Sequence, residues 1–306
     1  MTSRPCNPEA DVLASSIRRS KLSIVALLLF LAPALRAQPS SPAAVLVDVP
    51  MLSRGASPAV NVMVNGQGPF LFLIDTGAQG DARADSSLVS KLGLKPSGQT
   101  ESGDGSGRTR TVEQVTLDRL SLGQLEFRNV EAPSRDYNTS ARVAPIAGIL
   151  GFNLFRGHLL TLDFLNRRVR VESGSLLPAD GKTILDYDAP YDTPILEAVM
   201  GGFRLAADVD SGDTGGISFP AALVRILPQL SGPKAVGTGR TVSNAFVLSE
   251  VKLRGVLRIG EHELADPTIR FNEVHDNINL GAQFLSAYTL TFDQRNRRVR
   301  IVGRGE

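Results

Sequence analysis

The chain has a single cysteine, Cys6, no tryptophan and only three histidines in 306 residues. Cys6 lies ahead of an apolar run, so a chain processed after that run would hold no cysteine, which excludes a disulfide framework and a lipid-bearing cysteine at the cleavage point. His158, His262 and His275 stand apart with no metal-ligand spacing and read as surface or strand residues, so neither a metal nor another cofactor is expected. A net charge of +2 with no polybasic block argues against nucleic acid or an acidic membrane surface as partner. No Gly-x-Ser-x-Gly or phosphate-loop sequence occurs, and Gly103, Gly105 and Gly107 are not bracketed by the strand and helix that a nucleotide loop needs.

Long apolar runs are also missing. The longest, Leu22 to Leu31, is shorter than the roughly 20 residues of a comfortable bilayer span. Arg18, Arg19 and Lys21 precede it, and small residues follow to Ala37. That is the layout of a secretory signal over 1–37, cleaved before Gln38, with an uncleaved anchor as the rival reading. Export to the periplasm or medium is the expectation, with no membrane association beyond that segment. A bacterial envelope suits a cysteine-free mature chain better than a eukaryotic secretory route.

What the chain does have is a duplication. The segment from Gly151 through Asp163, Asn166 and Arg170 matches the segment from Gly281 through Asp293, Asn296 and Arg300 without a gap. Gly to Asp is 12 residues in both copies (163 − 151 and 293 − 281), and Arg-Arg-Val-Arg ends both. Upstream, Leu120-Ser-Leu122-Gly123 corresponds to Leu257-Arg-Ile259-Gly260. Leu88-Val89 and Leu92 fall on Leu223-Val224 and Leu227 at an offset of 135, which also sets Asp75-Thr76-Gly77 on Asp210-Ser211-Gly212 (210 − 75). The predicted organisation is one unit over 45–175, a connector over 176–193 and a second unit over 194–306. Each unit reads mostly as strand: Val60–Val64 alternates into the turn Asn65-Gly66, and Phe70–Ile74 is a continuous apolar run. Short helices are predicted at Ser87–Leu92 and Ala221–Leu227. Asp163 and Asp293, each before Asn-Arg-Arg, read as turn residues.

An apolar strand running into Asp-Thr-Gly holds a carboxylate at its tip. A second copy at the equivalent place would bring two carboxylates together under pseudo-twofold packing. Asp75-Thr76-Gly77-Ala78 with Ile149-Leu150-Gly151 resembles the two-part signature of the retropepsin-like aspartic proteases. Asp210-Ser211-Gly212 with Leu280-Gly281 makes the whole similar to a single-chain, pepsin-like bilobal relative. The resemblance implies a mainly β fold of two homologous β-barrel lobes with a few short helices. It implies Asp75 and Asp210 as the catalytic pair in an endopeptidase acting on a peptide or protein, without cofactor. It also implies that Thr76, Gly77, Ser211 and Gly212 support the loops, the two hydroxyls bonding across the lobe interface. A monomer is expected, because one chain holds both halves.

A substrate-covering flap is expected over the glycine-rich stretch 101–110, with Gly103, Gly105 and Gly107, and a second at about 237–245. The first lacks the tyrosine that pepsin-like flaps carry. Asp213 stands where the first unit has Ala78. It would raise the proton affinity of the pair if it faced inward, and otherwise points to solvent or caps the following turn. Asp213-Thr214-Gly215 as the second triplet would break the match at Leu223-Val224. A phosphatase-type loop at Asp208-Val-Asp210 would leave the duplication unexplained. The competing functional reading is a catalytically weak or inactive peptide-binding protein on the same fold.

Overall fold

The Asn65-Gly66 dipeptide adopts positive φ at both residues, 50° and 79°. This is the turn that matches the twist of a tight hairpin. It joins strands Ser57–Val64 and Gln67–Asp75, with Val60 opposite Phe72 and Val62 opposite Phe70. Val60, Val62, Val64, Phe72 and Ile74 are all buried. Ile195–Met200 and Phe203–Asp210 repeat the hairpin, with Gly201-Gly202 as its turn. The computed structural model describes residues 44–104, 108–138, 144–240, 245–273 and 276–305. The predicted signal segment 1–37, His275, and the flap positions Gly105 and Gly107 lie outside them.

Among the described residues the chain is mainly β, with a few short helices. Eight strands between Leu52 and Gly151 form one sheet, and nine between Ile195 and Gly281 form another. Strand Thr109–Leu122 returns to pair with Ser57–Val64 at Ser121–Met63 and Leu120–Val64, closing the first sheet into a barrel. The second copy closes at the matching place, Val199–Arg258, although its long strand is broken between Ala245–Lys252 and Val256–Ile259. In both copies the strand ending in aspartate pairs in parallel with an apolar strand ending in glycine. Asp75 lies beside Gly151, and Asp210 beside Gly281. A Cβ on Gly151 would stand 2.2 Å from the Gly80 carbonyl oxygen, and one on Gly281 2.5 Å from that of Gly215, so only glycine lets the loop pass.

A third sheet ties the copies together. Its order is Val45–Pro50, Arg168–Glu172, Leu159–Asp163, Tyr288–Asp293, Arg298–Gly303, Ile184–Asp186. At its centre Thr161 pairs with Thr291, its own repeat equivalent, so the local twofold runs through that pair. Their buried hydroxyls are 3.0 Å apart. The predicted connector therefore contributes strand Ile184–Asp186 to this sheet. Phe152 of the first copy meets Phe292 of the second edge-to-face at 5.2 Å, within one apolar core that runs through both.

Asp163 accepts from the backbone N–H and side-chain amide of Asn166, and Asp293 does so from Asn296. Both are turn residues. The helix Ser86–Leu92 is capped by Asp85 at one end and by left-handed Gly93 at the other. Its copy stops at Val224, short of the predicted Leu227, where the following Pro228 disfavours helical backbone. His262 lies on a strand, buried with its ring 4.9 Å from that of Tyr288.

Thr161→Val leaves the Thr291 hydroxyl buried without this partner, and should cost about 1–3 kcal/mol in urea unfolding. The double variant with Thr291→Val should recover most of that loss. Costs that simply add would show that the two hydroxyls do not depend on each other.

Candidate active site

Strands Gln67–Asp75 and Phe203–Asp210 deliver their last residues to the boundary between the barrels. There Thr76 and Ser211, both fully buried, exchange four hydrogen bonds. The Thr76 hydroxyl donates to the Val209 carbonyl oxygen at 2.6 Å and accepts from the Ser211 N–H at 3.0 Å. The Ser211 hydroxyl donates to the Ile74 carbonyl oxygen at 2.8 Å and accepts from the Thr76 N–H at 3.0 Å. Each hydroxyl thus satisfies one donor and one acceptor of the opposite copy, so neither backbone is left with an orphaned polar group.

The same clamp presses the aspartates together. A Cβ on Gly77 would lie 2.7 Å from the Asp210 carboxyl carbon, and one on Gly212 would lie 2.3 Å from that of Asp75. Each glycine is therefore the platform for the opposite carboxylate. Each N–H also donates inside its own loop, Gly77 to Asp75 Oδ1 and Gly212 to Asp210 Oδ1, both at 2.9 Å. Each carboxyl group feels the other, and that mutual influence is part of what shifts both.

Asp75 and Asp210 are half-buried, yet loss of water is the largest influence on both. It lifts Asp75 above its ordinary value, opposed first by the Arg83 guanidinium and then by the Gly77 N–H. Asp210 is lifted well above its ordinary value by burial, then by the Asp75 carboxylate, then by Asp213. Two carboxyls this close cannot both ionise cheaply, so the pair holds a proton into a range where a lone aspartate has lost it.

The residues expected from sequence, Asp75, Thr76, Gly77, Asp210, Ser211 and Gly212, converge here. Asp213 does not face Asp75. Its carboxylate accepts from Gly215 N–H at 2.8 Å and from Asn279 Nδ2 at 2.7 Å, capping the turn while its N–H supports Asp210 Oδ1. Its charge nonetheless reaches Asp210. Gly103 ends strand Pro96–Gly103, paired with Thr109 at the far end of the predicted flap hairpin. The second hairpin is Lys234–Arg240 with Ala245–Lys252. Among the described residues no group of three or more His, Cys, Asp or Glu is placed to hold a metal ion.

Three site residues escaped the sequence reading. The fully buried Ser57 hydroxyl donates to the Gly212 carbonyl oxygen at 3.0 Å, a further bond between the copies. A signal existed, because Ser57-Pro58 lines up with Thr193-Pro194 in the duplication. Arg83 and Tyr137 come near the site only through folding and carry no motif.

A raised carboxyl takes up a proton on folding, so ionising Asp210 works against the fold as pH climbs above the unfolded value of about 3.9. Asp210→Asn should therefore melt at a higher temperature than the parent at neutral pH. The gap should close as pH falls to about 3 and below, where the parent carboxyl is largely protonated both folded and unfolded. A gap that widened on acidification would contradict the reading.

Residues 60–154, the greater part of the first barrel with Asp75 and the strand beneath it, match the family model described as aspartyl protease. No curated protein matches the chain. The family match covers the first copy alone, whose sequence is therefore similar to the retropepsin-like aspartyl proteases.

Proposed function

We propose that this protein is an aspartic endopeptidase that hydrolyses peptide bonds with a water held between Asp75 and Asp210. The observation that carries the reading is the packing of each aspartate carboxyl on the glycine of the opposite copy, Asp75 on Gly212 and Asp210 on Gly77. A pair in this setting retains one proton. The ionised member takes a proton from water as its oxygen attacks the peptide carbonyl carbon. The protonated member donates a hydrogen bond to the oxygen on which negative charge develops. Collapse of the tetrahedral species passes a proton to the departing amine and expels it. No covalent bond to the protein forms, and the chain's own residues supply every proton transfer.

The hairpins Pro96–Gly103 with Thr109–Leu122 and Lys234–Arg240 with Ala245–Lys252 are proposed as the covers over an extended peptide. One chain supplies both carboxylates, so the active form is proposed to be a monomer. The basic flank and apolar run at 18–31 support export to the periplasm or medium.

The test is cleavage of a diverse peptide library by the purified protein across pH 3–8, with Asp75→Asn and Asp210→Asn alongside. Each substitution should lower turnover by about 10²–10⁴-fold without unfolding the chain. Near-parental turnover in either variant would overturn the pair as the catalytic centre.

A further inference from the structure

On the wall of the first barrel, bordered by the loop that follows Asp75, lies a cleft of about 340 Å³ lined by Gln79, Asp81, Arg83, Ser102, Gly103 and Glu131 among others. It carries three acids, each engaged: Asp81 is paired with Arg156 at 2.6 Å, Glu101 accepts from the Thr111 hydroxyl at 2.5 Å, and Glu131 accepts from Gln114 at 2.6 Å. Arg83 differs. It is half-buried on strand Ala82–Asp85, and among the described residues its guanidinium donates to neutral acceptors, the Ser102 hydroxyl at 3.4 Å and the Gly103 carbonyl oxygen at 3.3 Å. Among the described residues no carboxylate comes within ion-pair distance of it.

Buried Arg135 also reaches Ser102, through the carbonyl oxygen at 3.3 Å and the hydroxyl at 3.4 Å, so two guanidinium groups converge on one serine. The Tyr137 hydroxyl is buried beside Arg83 and Ser102 and has no well-formed hydrogen-bond partner among the described residues. Asp85 fixes the Tyr137 backbone, accepting from its N–H at 2.8 Å.

The duplication supplies a control. Arg83 corresponds to Ser218 (218 − 83 is again 135), and Arg135, opposite Asp85, corresponds to Asn272, opposite Pro220. The second copy builds its half of the shared scaffold with neutral residues at both places. The two arginines are therefore not needed to form the barrel or to hold the aspartate, and their charge is confined to one side of the site.

We propose that this cleft is a carboxylate subsite, in which Arg83 holds an acidic group of the peptide bound across Asp75 and Asp210. A carboxylate there would accept from the guanidinium and lie close to the Tyr137 hydroxyl, in a setting screened enough for the pair to count. The group is an aspartate or glutamate side chain, or the free end of the chain. This inference rests on the proposed function for the placement of the peptide, but not on turnover.

The test uses the Asp210→Asn protein, which keeps Arg83 and Asp75, and fluorescein-labelled octapeptides with Glu, Gln or Lys at each position, made as free acids and as amides. Fluorescence anisotropy reads binding. A Glu peptide should bind about tenfold or more tightly than its Gln counterpart at one position, the strength of a charge-assisted bond. If instead the free acid outbinds the amide by that factor at every sequence, the chain end is the group held. Either preference should vanish in Arg83→Gln and persist in Arg83→Lys.

Peptides bound alike whatever their charge, or a preference that survives Arg83→Gln, would overturn the subsite. The comparison within the parent sequence stands even if Arg83→Gln fails to fold. Cleavage of the library by the unmodified protein without any acidic preference would sink the subsite and leave the protease reading intact. No cleavage and no binding of any peptide would sink both.

Discussion

The reciprocal exchange between Thr76 and Ser211 is the constraint on which the rest of the molecule depends. Two unit charges about 4 Å apart at an effective dielectric near 20 repel by about 4 kcal/mol, so two aspartate loops left to themselves would separate. Four buried hydrogen bonds prevent it. Losing either hydroxyl would strand one N–H and one carbonyl in the interior, at about 1–3 kcal/mol for each unpaired group. The clamp fixes backbone rather than side chains, which is why Gly77 and Gly212 can serve as platforms and why the carboxylates meet at one geometry. A shared proton is the cheapest response of the pair to being held there.

The scaffold around the clamp is symmetric, and its chemistry is not. The central sheet places Thr161 on Thr291 across the local twofold, and both barrels bring aspartate beside glycine in the same parallel register. Against that symmetry stand Asp213, which adds a negative charge near Asp210, and Arg83, which adds a positive one near Asp75. Asp213 raises the proton affinity on one side and Arg83 lowers it on the other, so the two carboxyls sit in unlike surroundings while the pair titrates as a unit. A duplicated fold thereby surrounds two copies of one motif with unlike charges.

Much of this was legible in the sequence because the duplication is ungapped over its most informative segments. An offset of 135 carries Asp75 onto Asp210, and it also carries strand Ala82–Asp85 onto Ile217–Pro220 and the start of one helix onto the other. Alternation foretold the hairpin at Asn65-Gly66, and the Asn-Arg-Arg turns explained Asp163 and Asp293. The six-stranded sheet was not legible. Its strands alternate visibly, but which strand lies beside which depends on how the two copies pack. Ile184–Asp186 is too short for any period to show. Arg83 was hidden for a related reason. Its surroundings come from Ser102, Arg135 and Tyr137, on segments whose approach is set by barrel closure rather than by local pattern. For Asp213 the residue itself left two orientations open, and Asn279, 66 positions away, decides between them.

The central claim is that the clamped aspartates keep one proton between them after an isolated aspartate would have lost its own. Infrared difference spectroscopy of the purified protein, titrated from pH 3 to 8, reads that proton through the carbonyl stretch of a protonated carboxyl group. The account predicts a band that persists well above the ordinary aspartate range in the parent and is absent there in the Asp75→Asn, Asp210→Asn double variant. A parent spectrum in which every carboxyl has ionised by about pH 5, with the double variant indistinguishable from it, would contradict the account at its base.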